Sequence, residues 1–393
     1  MSYFCNRPAS TTLLWLCAVV PIFSTAEAQT ETRTFSLKAE NPKFWDLIDS
    51  KAQLSKVAGG FGFTEGPVWD ERGFLYVSDE EQNKIYKVDM DGGKKDVISL
   101  GDPDGNAYDH QRRLIDCASV LRAIIAVMPA GKYTVLADKF EGKKFNSPND
   151  VITGPDGAIY FTDPTLDLVK GEEQEIPFQG VYRLDDNGNV RLLTKELTQP
   201  NGLAFSPDGK RFYVDDSEQR NIRAYNVGSD GSLSNGRVFA AEPGGKHEGV
   251  PDGMRVDEAG NLYVTGPKGI WIWDPEGHHL GTIEMPEQPA NLIWGDNDYR
   301  TLYITATTSV YKLRTKVRGF VPYLAQPKQR ETQRPATDRR IRELSRYCLG
   351  WVRTAISAIC SKSGYCSSSF GFRSCGAICC TLTRAGAIAV KYF

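Results

Sequence analysis

Histidine is the scarcest chemistry-bearing residue in this chain of 393. There are four, His110, His247, His278 and His279, and none stands at a metal-ligand spacing. A zinc centre built from nitrogen and sulfur is therefore excluded for want of donors. Cysteine is nearly as sparse where it would matter: of nine, only Cys117 falls between Gln29 and Ala325. That span can form no internal disulfide, and the strand position of Cys117 suits a small buried hydrophobe. A nucleophilic cysteine wants a histidine partner, and the sequence offers none beyond the nearby His110. No Gly-x-Ser-x-Gly elbow occurs, which argues against a serine esterase.

A basic surface is missing too. The chain carries a net charge of −2, but residues 326–393 alone carry +9, which leaves −11 on residues 1–325. Phosphate backbones need a basic face, so nucleic acid is not an expected partner. Nor is there a membrane span: the longest apolar run, LLWLCAVVPIF from Leu13, is too short to cross a bilayer comfortably. It follows Arg7 and precedes Ala26-Glu27-Ala28, the pattern of a secretory leader over residues 1–28. The expectation is an exported protein, periplasmic or secreted, with no stable membrane insertion once the leader is cleaved.

What the chain does have is one pattern repeated six times: a polar residue, a short apolar strand, a turn, and a second strand. Tyr76, Ile115, Tyr160, Tyr213, Tyr263 and Tyr303 mark the second strand of each copy, at separations of 39, 45, 53, 50 and 40 residues. Two further short alternating strands complete each unit, as in GPVWD, FLYVSD, KIYKVD and DVISL from Gly66. Four strands per 40 to 50 residues is the period of a propeller blade. The fold class expected is all-β, a six-bladed β-propeller of four-stranded antiparallel blades over residues 53–325. The sixth unit shows only three strands, and QLSKVA from Gln53 is the spare one that completes it and closes the ring. Residues 29–52 form an extension with one short helix in PKFWDLID. The basic, cysteine-rich tail, 326–393, is expected to be disordered or weakly helical, with IRELSRYCLGWVRTAISAI as its amphipathic stretch.

At the start of each innermost strand stand Glu65, Asn106, Asn149, Asn201, Asp252 and Asn291. In a propeller these positions converge on one mouth of the central channel. Asn and Asp are common turn residues, but Glu is not, and carboxylates gathered in a shielded volume repel unless a cation neutralises them. An all-oxygen set suits a hard divalent ion. Few protein ligands leave positions for water, as metal-assisted hydrolysis requires.

TEGPVW, NSPNDV, TQPNGLAFSPDGK and VPDGMRVDEAGNLYVTGPKGIWIW resemble the gluconolactonase and regucalcin (senescence marker protein) family, over about Phe61 to Leu313. The resemblance implies a divalent ion on Glu65, Asn201 and Asp252, calcium first, with magnesium, manganese or zinc as substitutes. It also implies that Asn149 lines the substrate site and that the reaction is hydrolysis of a lactone, typically of a sugar acid, to the hydroxy acid. Asp252 is the candidate base for a water at the ion. Asn106, Asp163 and His247 are further candidates for substrate contact. Two alternatives stand beside this: a non-catalytic propeller that binds protein or peptide, and a hydrolase of other lactones or organophosphate esters on the same scaffold.

Overall fold

The computed structural model describes residues 33–245, 247–324, 378–382 and 388–392. Six four-stranded antiparallel sheets follow one another along the chain, at 64–99, 103–137, 151–194, 200–241, 254–284 and 289–314. The last has three strands of its own and takes Leu54–Gly59 as its fourth, with Leu54 paired to Leu313 and Gly59 to Ser309. The expected closure of the six-bladed propeller is thus observed.

The recurring tyrosine explains why the period is so regular. Four of the five pack against an aromatic of the next blade's innermost strand, while Tyr213 packs on Phe239 of its own blade's outer strand at 5.0 Å. Tyr76 meets Tyr108 at 6.3 Å, Tyr160 meets Phe205 at 4.9 Å, Tyr263 meets Trp294 at 5.1 Å, and Tyr303 stacks on Trp69 at 5.2 Å between ring centroids. Large flat side chains bury the most area per residue, and such pairs add about 0.5–1.5 kcal/mol beyond that burial. The last pair joins the sixth blade to the first, so the ring is sealed by core packing as well as by strand pairing.

A second tie recurs on the mouth side. Asp79, Asp163 and Asp216 end the second strands of blades 1, 3 and 4, and each accepts hydrogen bonds from the backbone that leads into its blade. Asp79 receives Gly62 and Phe63, Asp163 receives Asn146, and Asp216 receives Thr198 and Gln199. These carboxylates staple the inter-blade loops above the mouth.

One element was not expected. Ser36–Ala39 adds a fifth strand to the outer edge of blade 5, pairing Leu37 with Ile283. The short helix does form, at Phe44–Leu47, and it anchors through buried Phe44 and Leu47. The leader segment 1–28 and the helical stretch from Ile341 lie outside the described residues. Within the tail, Ile378–Leu382 and Ile388–Tyr392 pair as an antiparallel hairpin, in a unit separate from the propeller.

Candidate functional site

Strand register fixes which residue of each blade reaches the mouth. The inner-strand partners of the second-strand markers are Val68, Ala107, Ile152, Ala204, Arg255 and Ile293. Three residues earlier in each strand stand Glu65, Asp104, Asn149, Asn201, Asp252 and Ala290. This ring corrects the sequence expectation at two places. In blade 2 the mouth residue is Asp104, and Asn106 lies two residues further along the strand. There its Nδ2 donates to the Gly66 carbonyl at 3.0 Å and to Ser78 Oγ at 2.6 Å, so the amide binds blade 1 to blade 2. In blade 6 the ring position is Ala290, and Asn291 stands one residue deeper.

The inner strands approach closely enough to exclude side chains at the next position. A Cβ on Gly202 would stand 2.0 Å from the Asp252 carbonyl oxygen, and one on Gly253 would stand 2.2 Å from the Asn291 side chain. Glycine after the ring residue is therefore a steric requirement of the converging strands, beyond its role in turns.

Three side chains of the ring are carboxylates. Glu65 is 4 % exposed; its Oε2 accepts from the Gly66 amide at 2.6 Å and from Asn291 Nδ2 at 2.9 Å, while Oε1 is buried with no hydrogen-bond partner. Burial, and after it the charge of Asp150, pushes this carboxyl up to about 8. Asp252 is half-buried at the rim and is also held well above the usual carboxylate range. Burial among protein atoms is the main cause, followed by Glu65 and Asp150, and the Asn201 amide partly offsets them by a hydrogen bond. Asp104 behaves likewise through burial, Glu80 and Glu65. Carboxylates from blades 1, 2 and 5 thus act on one another in one volume. The orphaned Glu65 oxygen and this mutual repulsion fit a cation bound by Glu65, Asn201 and Asp252, since oxygen donors with uncompensated negative charge are what a hard ion needs.

Sequence reasoning missed the site's own counter-charge. Arg255 is buried, donates to the Met254 carbonyl at 2.6 Å, and lies 3.9 Å from Asp150 Oδ2. A cation at a position where the other blades carry valine, alanine or isoleucine was the available signal. Beneath it the six register residues Val68 to Ile293, with Phe320, Val321, Pro322 and Tyr323, line a cavity of about 40 Å³. Tyr323 is fixed there by its hydroxyl, which donates to the Trp69 carbonyl at 3.1 Å. The cavity has room for about a water or two and no more.

The remaining candidates fall elsewhere. Asp163 is fully buried and holds the loop at Asn146, as described above, and burial raises it to about 8. His247 is exposed on the loop ahead of blade 5, and its carbonyl accepts from Arg33 Nη2 at 3.0 Å. Cys117 is a fully buried free thiol. Asp274, Glu276 and His278 bring ligand atoms within 4.8 Å of one another, but on an outer turn of blade 5 where Asp274 accepts from the turn's own amides.

The SMP-30/gluconolactonase/LRE-like region model matches residues 63–308, which is most of the propeller. The chain belongs to this family. A gluconolactonase of Zymomonas mobilis is 34% identical over 71% of this chain and 86% of its own length. The pentonolactonase XacC of Haloferax volcanii is 28% identical over 61% of this chain and 80% of its own. Among solved structures, a gluconolactonase of Xanthomonas campestris aligns with a TM-score of 0.66 at 32% identity, covering 71% of this chain and 94% of the other.

Proposed function

We propose that this chain hydrolyses a lactone, most readily a sugar lactone, to the corresponding hydroxy acid, with a divalent cation held by Glu65, Asn201 and Asp252. The observation that carries this reading is the buried, partnerless Oε1 of Glu65, within a group of carboxylates that repel one another, in a chain whose relatives include lactonases. Calcium is the first choice for an oxygen-only donor set. When bound, the ion supplies Lewis-acid polarisation of the ester carbonyl and eases the ionisation of water.

The chain's own residues do the rest. Asp252, half-buried at the rim, takes a proton from the attacking water as its oxygen bonds to the carbonyl carbon. As the carbon–oxygen bond of the ring breaks, the same carboxyl returns that proton to the departing ring oxygen, so the net change is addition of one water. Asn149, on the adjacent side of the ring, orients the substrate. The cavity below, with room for about a water or two, is too narrow to admit the lactone past the carboxylates.

The test is a panel of lactones followed by acid release, with and without a chelator, for the wild type and Asp252→Ala. Loss of turnover in both the chelated protein and the variant is expected, with the circular dichroism spectrum unchanged. A propeller that merely binds protein or peptide would keep its function through chelation. The leader-like residues 1–28 support export, which N-terminal sequencing of the mature protein would check.

A further inference from the structure

The three residues assigned to the ion are not delivered in the same way. Glu65 lies inside the strand Thr64–Asp70 and Asn201 inside Pro200–Phe205, so sheet hydrogen bonds hold both. Asp252 stands ahead of its strand, Met254–Val256, and the described residues between Ala241 and Met254 belong to no strand or helix. What holds the approach to Asp252 is a set of ties made almost residue by residue. The His247 carbonyl accepts from Arg33 Nη2 at 3.0 Å, the Glu248 carbonyl from the Lys268 amide at 2.7 Å, the Gly249 carbonyl from Arg220 Nη1 at 2.9 Å and the Pro251 carbonyl from Ser217 Oγ at 2.8 Å. The Asp252 amide donates to the Thr265 carbonyl at 3.1 Å.

Ser217, Arg220, Thr265 and Lys268 belong to blades 4 and 5, but Arg33 comes from outside the six blades. It precedes Ser36–Ala39, the strand added to the edge of blade 5. Its other terminal nitrogen, Nη1, donates to Gln288 Oε1 at 2.6 Å, and Gln288 Nε2 donates to the Gly266 carbonyl at 3.0 Å. Gln288 packs tightly on the run: a Cβ on Gly249, whose φ is +108°, would stand 2.1 Å from Gln288 Nε2. One guanidinium thus joins the entries of blades 5 and 6, a task suited to its rigid fork of donors. We propose that Arg33 is a positioning residue, which reaches in from the N-terminal extension, holds the run 247–251 and so sets the place of Asp252 at the mouth. Its consequence for turnover rests on the lactonase reading, and its hold on the chain does not. Closure of the ring depends on Leu54–Gly59 and on Trp69 against Tyr303, neither of which involves Arg33. Its loss should therefore loosen one segment and leave the propeller folded.

Amide hydrogen exchange would be followed in the full-length wild type, Arg33→Ala, Arg33→Lys and Arg318→Ala, the last removing an arginine that is paired with Glu258 at 2.8 Å. In Arg33→Ala the amides of Asp252 and Lys268 should exchange about tenfold faster, the worth of one hydrogen bond, while amides paired inside the other blades keep their wild-type rates. Arg33→Lys, with one nitrogen for two acceptors, should fall between, and Arg318→Ala should match wild type at these amides. On glucono-1,5-lactone, Arg33→Ala should lower kcat several-fold with KM little changed, because a displaced base slows the chemical step more than it weakens binding. Unchanged exchange at Asp252 and Lys268, a rise spread evenly through all six blades, or a wild-type kcat in a variant whose exchange has risen would overturn the proposal. If the wild type turns over no lactone, the lactonase reading falls, and the exchange rates alone still decide whether Arg33 holds the run.

Discussion

Asn291 of the last blade donates its Nδ2 to Oε2 of Glu65 in the first, at 2.9 Å and across 226 residues of sequence. Its own Oδ1 is taken by the Leu292 amide at 2.9 Å, so the Asn291 side chain cannot flip without losing both bonds. One side chain therefore does two things: it links the two blades that close the ring, and it turns the Glu65 carboxylate so that Oε1 is left over.

Replacing Asn291 with alanine should release that carboxylate to rotate. Residues that orient metal ligands typically change affinity by about 10- to 100-fold. Calorimetric titration with calcium is expected to show a loss in that range for Asn291→Ala. Unchanged affinity would mean that Glu65 is positioned by its surroundings without Asn291.

The ion-free protein should lose stability as pH rises. Glu65 titrates at about 8 in the folded chain, against an ordinary value of 4.5. Between those values the folded state keeps a proton that the unfolded state has released. The stabilisation is complete below the unfolded value and disappears as pH passes through the folded one, at up to about 1.4 kcal/mol per unit for each such group. The melting temperature of chelator-treated protein should therefore fall by several degrees from pH 5 to pH 8. Calcium should restore most of it at pH 8 and little at pH 5.

Arg255→Met should be costly despite its similar size. It removes the only cation acting on both Glu65 and Asp150 among the strongest influences on those groups. Leaving a buried charge without its partner typically costs about 3–5 kcal/mol. Urea unfolding should show a loss of that order, partly recovered by saturating calcium.

Trp69→Ala tests the seal between the sixth and first blades. Its stacked contact with Tyr303 lies in the core, and truncation of a buried aromatic costs about 3–5 kcal/mol. A lower denaturation midpoint with near-normal turnover per folded molecule is the expected result, because Trp69 touches no ring carboxylate in the contacts described above.

The architecture was legible because its signal is periodic. A tyrosine that must cover the next blade's inner strand recurs wherever that strand does, and only blade 2, with Ile115, departs from it. Gln53 to Ala58 was recognisable as the closing strand because the sixth unit was one strand short. Ser36–Ala39 was not: a four-residue outer edge strand with its last two residues exposed needs no apolar run. The mouth was readable to within a residue or two. Glycine and asparagine follow one another in Asp104-Gly105-Asn106, and only the pairing of Ala107 with Ile115 decides which polar residue reaches the ring. Arg255 was missed for a different reason: an arginine inside a strand looks solvent-facing until the fold buries it, and only its mismatch with the apolar residues of the other blades marks it.

Phe320 to Tyr323 help to narrow the propeller's axis to a space that holds only a water or two. A lactone too large for that space must come and go by the carboxylate mouth, so substrate and product queue at a single door. The open acid must clear that passage before the next ring can approach, so departure of product is a step on which every turnover waits.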